Sequence, residues 1–486
     1  MRSTKHIPAL PVPRGGGCAS ASSRRARRSA PSPSTCSTKP VRAEGGTTVT
    51  TPERVAVVGS GVSGVSAALT LRRAGCAVEI FELADRVGGR VGAAELDGRA
   101  VLLGGKNIGR RYTRLRAMLE LLGGTGYEPF GINTARLVAG KLVPLDSAHR
   151  TETLRAIARM CDWRDLGKLD GLARKVRATE SARFLGSELA AKLARRDDRP
   201  LSAHFGRDTT ANFLRPITVR MNGAEPEESY LGTFGVNMGM LLDRFDQPTT
   251  GLATLLARVE ACAEIRYRTT VTRITRSENR IYVEAIDARG RSSRTRYDAV
   301  VVCTPAYAAA PLLAELSETA AGLLRSVRYC PATVAVVSYA HDVFAADVRA
   351  LALDDQPCSN VGSYGTTTRN LVRYTFSGKH GRLSEPTEAD VLELVTETEQ
   401  RLRAHLGTSP QPRTAAAIRH WPRAYCAYLP HYDTFLTALA AALAPLPGIA
   451  LAGDYLLGTS LEACCRSGES AAAALLPAPL PQGADR

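Results

Sequence analysis

Three glycines and one acid stand at a spacing that serves dinucleotide binding. Gly59, Gly61 and Gly64 follow the pattern G-x-G-x-x-G, and Glu82 comes about 20 residues after them. In such sites the first glycine allows a tight turn, the second lets a pyrophosphate approach the backbone, and the third lets a helix pack against a strand. The carboxylate accepts hydrogen bonds from the ribose hydroxyls of an adenosine. These residue types therefore predict a dinucleotide site.

The residues around the glycines predict the elements that would hold them. Residues 55–58 form a β-branched run that is typical of a buried parallel strand. A helix is expected over residues 62–74, followed by a second strand over residues 77–81. The N–H groups at the start of this helix, at Val62 and Ser63, would point at the phosphates. The alternative interpretation is a glycine-rich turn that binds no ligand.

A second glycine pair follows the acid. Glu82, Gly88, Gly89 and Arg90 form the pattern E-x5-G-G-R, which after a G-x-G-x-x-G unit resembles the flavin-dependent amine oxidase superfamily. The resemblance implies that FAD is the cofactor, that Arg90 contacts its pyrophosphate, and that Leu83 lies in the same site. A solvated arginine in a turn is the alternative.

A third glycine-rich stretch lies at Gly104, Gly105, Lys106 and Asn107. In the resembling family a loop at this distance passes the isoalloxazine ring, which implies that Gly104, Gly105 and Lys106 contact FAD and that Lys106 and Asn107 are candidate catalytic residues. A cation near the flavin N1–C2=O edge would stabilise the anionic reduced flavin. Lys106 could instead bind a substrate carboxylate, or simply point to solvent.

The C-terminal part carries the second signature of the family. A short strand ends at Gly453 and Asp454, and a helix follows from about Ser460. By resemblance the acid binds a ribityl hydroxyl, and the helix N-terminus faces the pyrimidine edge of the flavin, where its partial positive charge suits an anionic reduced form. The remaining FAD contacts that the resemblance implies are Val271, Cys303, Thr304, Gly453, Asp454, Ser460 and Leu461.

The residues expected at the substrate side of the flavin are less distinctive. Trp421 and Tyr428 are candidates to face the ring, although ordinary packed aromatic residues would give the same pattern. Amine oxidases of the family carry a lysine, linked by water to flavin N5, on the strand that corresponds to residues 329–339. The matched position here is Ala335 or a neighbour, and no Lys occurs between residues 193 and 378. This argues against the amine-oxidase mechanism, and the chain here looks closer to the branch of protoporphyrinogen oxidase and phytoene desaturase.

The expected fold class is α/β: a Rossmann-like, doubly wound FAD-binding domain that is discontinuous in sequence, with a second, α+β substrate domain. A strand is expected over residues 265–274, as the first of a three-strand meander. The predicted segments are a disordered tail (1–48), the FAD-binding domain (49–135, 246–310 and 441–486), a helical part of the substrate domain (136–245) and its sheet (311–440).

The tail differs from the rest of the chain in composition. Residues 1–48 hold nine Lys or Arg residues against one acid, and so carry half of the net charge of +16. Their Ser, Pro, Gly and Arg content predicts disorder. They resemble a transit peptide in composition, but the favoured interpretation is that translation begins near Val49.

The rest of the composition excludes several classes of protein. The sequence has no run of about 18 apolar residues, so a transmembrane helix is not expected. The sequence also lacks a basic stripe with interleaved aromatic residues, so a nucleic-acid partner is not expected. The 11 Cys and eight His residues lack metal-ligand or disulfide spacing, so reduced thiols, a cytoplasmic location and no metal are expected. Arg-rich helices over residues 151–196 leave peripheral membrane contact as an alternative.

The sequence predicts an FAD-dependent oxidoreductase that removes hydride from a C–H bond of a small, partly apolar organic substrate. No second G-x-G-x-x-G unit occurs, so an NAD(P)H domain is not expected, and O2 or a quinone would accept the electrons. The alternatives are an amine or amino-acid oxidase that forms an imine, an isomerase or mutase that uses FAD without net oxidation, and a binding protein of the superfamily.

Overall fold

The computed structural model describes residues 51–130, 135–138, 141–144, 150–278, 280–344, 350–353, 356–365 and 368–477. All of them belong to the second of the two units into which the chain divides, Met1–Thr48 and Val49–Arg486. The tail predicted to be disordered, residues 1–48, lies outside the described residues.

The described elements alternate between strands and helices. In chain order the strands are β1 (Arg54–Val58), β2 (Ala77–Phe81), β3 (Ala93–Leu96), β4 (Arg99–Leu102), β5 (Ile108–Gly109), β6 (Tyr127–Phe130), β7 (Ala135–Val138), β8 (Lys141–Pro144), β9 (Phe245–Pro248), β10 (Glu264–Arg266), β11 (Thr270–Ser277), β12 (Arg280–Ile286), β13 (Ser292–Tyr297), β14 (Ala299–Val302), β15 (Arg328–Tyr339), β16 (Ala350–Ala352), β17 (Cys358–Ser363), β18 (Leu371–Phe376), β19 (Arg413–Ala427) and β20 (Ile449–Leu451). The α-helices are α1 (Val62–Arg73), α2 (Thr113–Leu121), α3 (Arg150–Met160), α4 (Trp163–Ala178), α5 (Glu188–Arg196), α6 (Arg207–Thr209), α7 (Arg215–Asn222), α8 (Phe234–Leu241), α9 (Leu252–Ala257), α10 (Ala306–Leu313), α11 (Glu318–Ser326), α12 (Glu388–Leu406), α13 (Tyr432–Leu443), α14 (Asp454–Leu457) and α15 (Leu461–Ala473).

The first sheet is parallel and has the strand order β10-β2-β1-β14-β20. At its centre Val57 pairs with Ile80 of β2 and with Val301 of β14. Helices α1 and α15 cover the face that carries Val57, while the meander β11–β13 and helices α10 and α11 cover the face that carries Ala56. Burial on both faces is typical of a parallel sheet in an α/β protein. The predicted fold, doubly wound and discontinuous in sequence, is confirmed.

Two distant parts of the chain cross where α1 meets α15. A Cβ atom placed on Gly468 would lie 2.1 Å from the carbonyl oxygen of Ser63, so only a glycine fits there. Ser66 Oγ donates a hydrogen bond to the carbonyl oxygen of Cys465 at 2.8 Å. This crossing holds the N-terminal glycine loop beside the C-terminal signature.

The substitution Gly468→Ala should therefore lower the free energy of unfolding by about 3 kcal/mol, because two helix backbones would have to separate. Gly171→Ala is the matched control, since Gly171 lies in α4 and a Cβ there meets no atom within 4 Å. The control should be neutral or stabilising by up to about 1 kcal/mol. Chemical denaturation of both variants measures the difference, and equal stabilities would contradict the close crossing.

The meander β11–β13 is antiparallel, as expected, but the strand predicted over residues 265–274 is wrong. β10 ends at Arg266, Arg268 adopts a left-handed conformation with φ of 50°, and β11 begins at Thr270. The turn is needed because β10 pairs with β2 in the parallel sheet, whereas β11 pairs with β12 in the meander. A continuous run of strand-forming residues gives no sign that the chain changes sheets.

The second sheet has the order β19-β15-β18-β17-β16-β7-β8. Its long strand β15 pairs antiparallel with both β18 and β19. Helix α12 covers one face, where Val391 and Val395 pack on Tyr374 and Phe376. The opposite face is therefore free of α12, and other parts of the chain can pack against it.

That opposite face lies against the hairpin β3–β4, which leads out of the first sheet. Val334 and Val336 of β15 belong to one apolar cluster with Val101 and Leu103 of the hairpin. This contact places the loop after β4, which contains Lys106, directly against the second sheet.

Helices α3 to α8 form a separate apolar cluster, centred on Leu172, Val176, Leu214 and Phe234. In the described part of the chain, none of the helices is both long enough and apolar enough to cross a lipid bilayer.

Candidate cofactor and substrate site

The first glycine loop joins β1 to α1 and packs against β14. A Cβ atom on Gly64 would lie 1.9 Å from the carbonyl oxygen of Gly59, which explains why the helix can approach the loop only with glycine there. A Cβ on Gly61 would meet no atom within 4 Å, so its backbone borders open space. Val62 and Ser63 open α1, whose first turn has no acidic residue and no side-chain cap. These features leave room for a phosphate group.

Glu82 lies at the end of β2, beside this loop. Its Oε2 accepts hydrogen bonds from the backbone N–H of Ser60 at 2.8 Å and from Ser60 Oγ at 2.5 Å, and its Oε1 accepts from the N–H of Ala84 at 2.8 Å. The carboxylate is thus held next to the glycine loop. Leu83 is 71% exposed, and Val271, at the start of the meander, is partly buried.

The second glycine pair contacts the first loop. The N–H of Gly88 donates to the carbonyl oxygen of Ser60 at 3.0 Å, and a Cβ on Gly89 would come within 3.3 Å of Gly61 Cα. The two loops therefore form one cradle, and the contacts between them involve no residue of the C-terminal signature.

Arg90 joins this cradle to the C-terminal signature. Its Nη1 donates to Asp454 Oδ2 at 2.7 Å and to the carbonyl oxygen of Ala424 at 2.9 Å. Burial alone would lower the pKa of Arg90, but the Asp454 carboxylate raises it above its usual value, so the guanidinium is always charged. A permanent cation at this point suits a pyrophosphate.

Asp454 is buried and is held by two tyrosines. Tyr329 Oη donates to Asp454 Oδ1 at 2.9 Å, and Tyr428 Oη donates to the carbonyl oxygen of Asp454 at 3.3 Å. The N–H of Gly453 donates to Ser467 Oγ at 3.0 Å. The acid is therefore fixed from β15, from the segment after β19 and from α15.

Tyr329→Phe should weaken FAD binding by about tenfold, because Asp454 loses a hydrogen bond that orients its carboxylate. Tyr282→Phe, on the meander, is the control and should bind FAD normally. Fluorescence titration of the apoprotein with FAD measures both affinities. An unchanged affinity in Tyr329→Phe would show that the tyrosine does not position the acid.

Helix α15 begins beside the third glycine loop. Ser460 Oγ accepts a hydrogen bond from the N–H of Ala463 at 3.1 Å and so caps the helix. A Cβ on Gly105 would touch Leu461 Cδ2 at 3.4 Å, and a Cβ on Gly104 would lie 1.9 Å from the carbonyl oxygen of Arg90. The third loop is thus packed between Arg90 and the start of α15.

Lys106 is buried at the end of this loop. Its Nζ donates to the carbonyl oxygen of Tyr364 and lies 4.1 Å from the centre of the Tyr364 ring. Burial, and next the charge of Arg373, hold the pKa of Lys106 well below its usual range. The side chain does not point to solvent, which was one of the three alternatives from the sequence.

Residues of the second sheet clamp the loop at three backbone groups. The N–H of Leu102 donates to Tyr364 Oη at 2.6 Å, and Arg373 Nη1 donates to the carbonyl oxygen of Leu102 at 2.9 Å. Trp421 Nε1 donates to the carbonyl oxygen of Leu103 at 2.8 Å. These bonds fix the loop that contains Lys106 relative to the second sheet.

Two buried oxygen atoms in this region support a bound cofactor. Asn107 Oδ1, next to Lys106, and Thr304 Oγ1, beside Gly59, have no hydrogen-bond partner within the described structure. Buried polar atoms of this kind are normally paired. Together with the open backbone at Gly61 and the charged Arg90, they fit a large polar cofactor. Cys303, which precedes Thr304, is buried, and burial raises the pKa of its thiol.

The residues matched to the amine-oxidase lysine, Ala335 and its neighbours, lie on opposite faces of β15. Ala335 packs in the cluster under α12, on the far side of the second sheet. Its neighbours Val334 and Val336 face the loop that contains Lys106. Because successive residues of a strand point to opposite faces, only the neighbours of Ala335 are on the face of this loop. β15 carries no lysine at any position, so the argument against the amine-oxidase mechanism holds for either face.

Sequence reasoning missed several residues that organise this site. Tyr329, Tyr364 and Arg373 come from the second sheet and carry no motif of their own. For Arg373 one signal existed: it is a charged residue in the middle of the apolar strand LVRYTF. A charge at such a position usually serves a partner or a ligand.

Comparison with known proteins agrees with this geometry. Residues 62–476 match the family described as flavin containing amine oxidoreductase. Putrescine oxidase of Kocuria rosea is 32% identical over 135 residues, 26% of each protein. L-amino-acid oxidase of Pseudechis australis is 42% identical over 74 residues, 15% of this chain and 14% of that protein. The alignments thus span 26% and 14% of these two relatives.

Solved structures show the same fold over nearly their whole length. Cyclohexylamine oxidase from Brevibacterium oxydans IH-35A has a TM-score of 0.67 at 18% identity, and a putative protoporphyrinogen oxidase from Exiguobacterium sp. 255-15 has 0.65 at 17%. A fatty acid isomerase from P. acnes that produces CLA has 0.64 at 14%. Each comparison covers 87% of this chain and 98% of the other. The chain belongs to the flavin-containing amine oxidoreductase family, and its cofactor is FAD.

Proposed function

We propose that this protein is an FAD-dependent oxidoreductase that removes hydride from a C–H bond of a small, partly apolar organic substrate, in the manner of a dehydrogenase or desaturase. The observation that carries the proposal is the convergence of three glycine loops, Arg90 and Asp454 beside a buried lysine that the second sheet holds in place. Intact contact residues at both ends of the chain argue against a binding protein without flavin.

In this proposal the FAD-binding domain comprises residues 49–135, 246–310 and 441–486, and residues 136–245 and 311–440 form the substrate domain. The parallel sheet supports this division, because its strands come from those three segments. The FAD contacts are the residues predicted from the sequence. Lys106, Asn107, Trp421 and Tyr428 are the proposed residues at the substrate side.

FAD, when bound, accepts the hydride at N5. Lys106 Nζ would take the proton that leaves the substrate in the same oxidation. A lysine whose pKa is lowered by burial is neutral over more of the physiological pH range, and a neutral amine can accept a proton while it still donates to the Tyr364 carbonyl. Lys106 is buried and its amine lies against the Tyr364 ring, so bulk water is kept away from it.

The experiment that tests this function is anaerobic mixing of the FAD-loaded protein with candidate substrates, followed by flavin absorbance. Bleaching of the oxidised spectrum, and its return when O2 or a quinone is added, is the expected result and identifies the acceptor. Turnover only with pre-reduced flavin and without consumption of an acceptor would contradict the proposal in favour of an isomerase or mutase.

An amine or amino-acid oxidase is the second candidate. The local identity to a putrescine oxidase and to an L-amino-acid oxidase supports it. It differs from the first candidate in its product, because the oxidised substrate is an imine that water hydrolyses. Release of ammonia with a panel of amines and amino acids would favour this second candidate.

The cellular location is part of the proposal as well. The nine described cysteines are all free thiols, which supports a reducing compartment such as the cytoplasm. Peripheral membrane contact is supported by Leu154 and Trp163, which are 66% and 76% exposed on the Arg-rich helices α3 and α4. Sedimentation with anionic vesicles, compared between the wild-type protein and Trp163→Ser, tests it.

A further inference from the structure

Two arginines from separate elements lie near Lys106, between the loop after β4 and the second sheet. Lys106 comes from that loop, Arg373 from β18 and Arg220 from α7. We call the two arginines the cationic wall. Besides burial, the charges of Arg373 and Arg220 lower the pKa of Lys106, and the carboxylate of Glu128 partly offsets them, so both arginines lie close enough to Lys106 to act on its charge.

The alternation of β18 directs Arg373 at the loop after β4, which contains Lys106. Its neighbours Val372 and Tyr374 pack under α12, whereas Leu371, two residues away, packs with Val334 on the other face. Arg373 lies on that second face and reaches the carbonyl oxygen of Leu102 at 2.9 Å. Its remaining N–H groups are available to another acceptor.

Arg220 is the second arginine of the wall and comes from helix α7. It lies near the end of α7, which stops at Gly223, where a Cβ would come within 3.0 Å of the Tyr425 ring. Burial, followed by the charge of Arg373, lowers the pKa of Arg220 to about 10, while Tyr425 partly offsets this. Arg220 and Arg373 are both partly exposed, so a small molecule could reach them.

Neither arginine of the wall is neutralised in the way that other arginines of this chain are. Arg215, on the same helix as Arg220, pairs with Glu225 at 2.8 Å, and Arg413 pairs with Glu399 at 2.8 Å. Within the described residues, Arg220 and Arg373 have no carboxylate partner. Two adjacent guanidinium groups without a counter-ion are costly unless an anion joins them.

We propose that the cationic wall binds a carboxylate group of the substrate, so that the molecule oxidised here is an organic acid. A guanidinium matches a carboxylate through two parallel N–H···O bonds, and two of them can hold both oxygens. The wall lies beside the loop that passes the flavin, so it would fix the substrate at its acidic end and leave its carbon framework near the ring. That the bound acid is also the substrate rests on the proposed function, whereas the binding of a carboxylate by the wall does not.

The test is isothermal titration calorimetry of the FAD-loaded protein with butanoate, octanoate and phenylacetate, each compared with its matched primary alcohol and primary amine. At least one acid should bind about tenfold or more tightly than both of its matched compounds. Equal or weaker binding of all three acids would overturn the proposal. The measurement needs no turnover, so failure of flavin reduction would remove the proposed function and leave this result standing.

Variants separate the wall from general effects of charge. Arg220→Gln and Arg373→Gln should each weaken binding of the preferred acid by about tenfold to a hundredfold, while Arg220→Lys should restore most of it. Arg215→Gln removes a positive charge from the same helix and should leave acid binding unchanged. The wall is not the binding site if Arg220→Gln binds the acid as tightly as the wild type. The same holds if Arg215→Gln loses as much affinity for the acid as Arg220→Gln does.

Discussion

Replacing Asp454 with asparagine should reduce FAD affinity by about a hundredfold while the chain remains folded. The carboxylate accepts from Arg90 at 2.7 Å and from Tyr329 at 2.9 Å. An amide of the same shape keeps the packing but leaves the charge of Arg90 without its counter-ion. It also puts an N–H group where an oxygen is needed to accept hydrogen bonds from Arg90 or Tyr329.

The FAD content of Asp454→Asn after gel filtration, together with its affinity from titration of the apoprotein, measures this effect. Asp170→Asn is the matched control, because Asp170 pairs with Arg174 on the surface of α4 and its side chain is 60% exposed. Surface pairs of this kind contribute little. Full FAD occupancy in Asp454→Asn would show that the C-terminal signature does not hold the cofactor.

Replacing Lys106 with methionine should leave FAD content nearly unchanged but slow flavin reduction by about a hundredfold or more. Methionine fills a similar buried volume without an amine, so the loop clamped by Tyr364 and Trp421 should keep its position. Stopped-flow absorbance under anaerobic conditions gives the rate. Loss of FAD together with activity would instead assign Lys106 to cofactor binding.

The pH dependence gives an independent reading of the same residue. A base acts only when unprotonated, so the rate of flavin reduction should rise with pH through the pKa of Lys106 and then level off. Because that pKa is lowered, the plateau should begin well below pH 10.5. Lys106→Met should lose this rise. A wild-type rate that falls with pH over the same range would contradict a neutral lysine as the proton acceptor.

The parts of the site that follow from local sequence were predictable. Gly64, Arg90 and Asp454 lie in short motifs whose spacing states a physical requirement, either close backbone approach or a charge at a fixed point. The parallel strands around Val57 were predictable because strands buried on both faces need β-branched residues. For these positions the residues next to them in sequence carry most of the information.

The other parts depend on contacts between distant segments. Tyr329 reaches Asp454 across 125 positions of sequence, and Arg373 reaches Leu102 across 271. The turn at Arg268 and the face on which Ala335 lies depend on which sheet a strand joins, and the strand pattern itself does not record this. The substrate side is built almost entirely from such contacts, which is why the sequence predicted the cofactor better than the substrate.

The FAD content of the purified full-length chain, after incubation with FAD and removal of the excess by gel filtration, is the most direct test of a cofactor site built from both ends of the sequence. The structure predicts a yellow protein with stoichiometric FAD, which Gly64→Ala should lack, since a Cβ there would lie 1.9 Å from the Gly59 carbonyl oxygen. A folded but colourless wild-type protein would contradict the FAD site and every activity proposed for it.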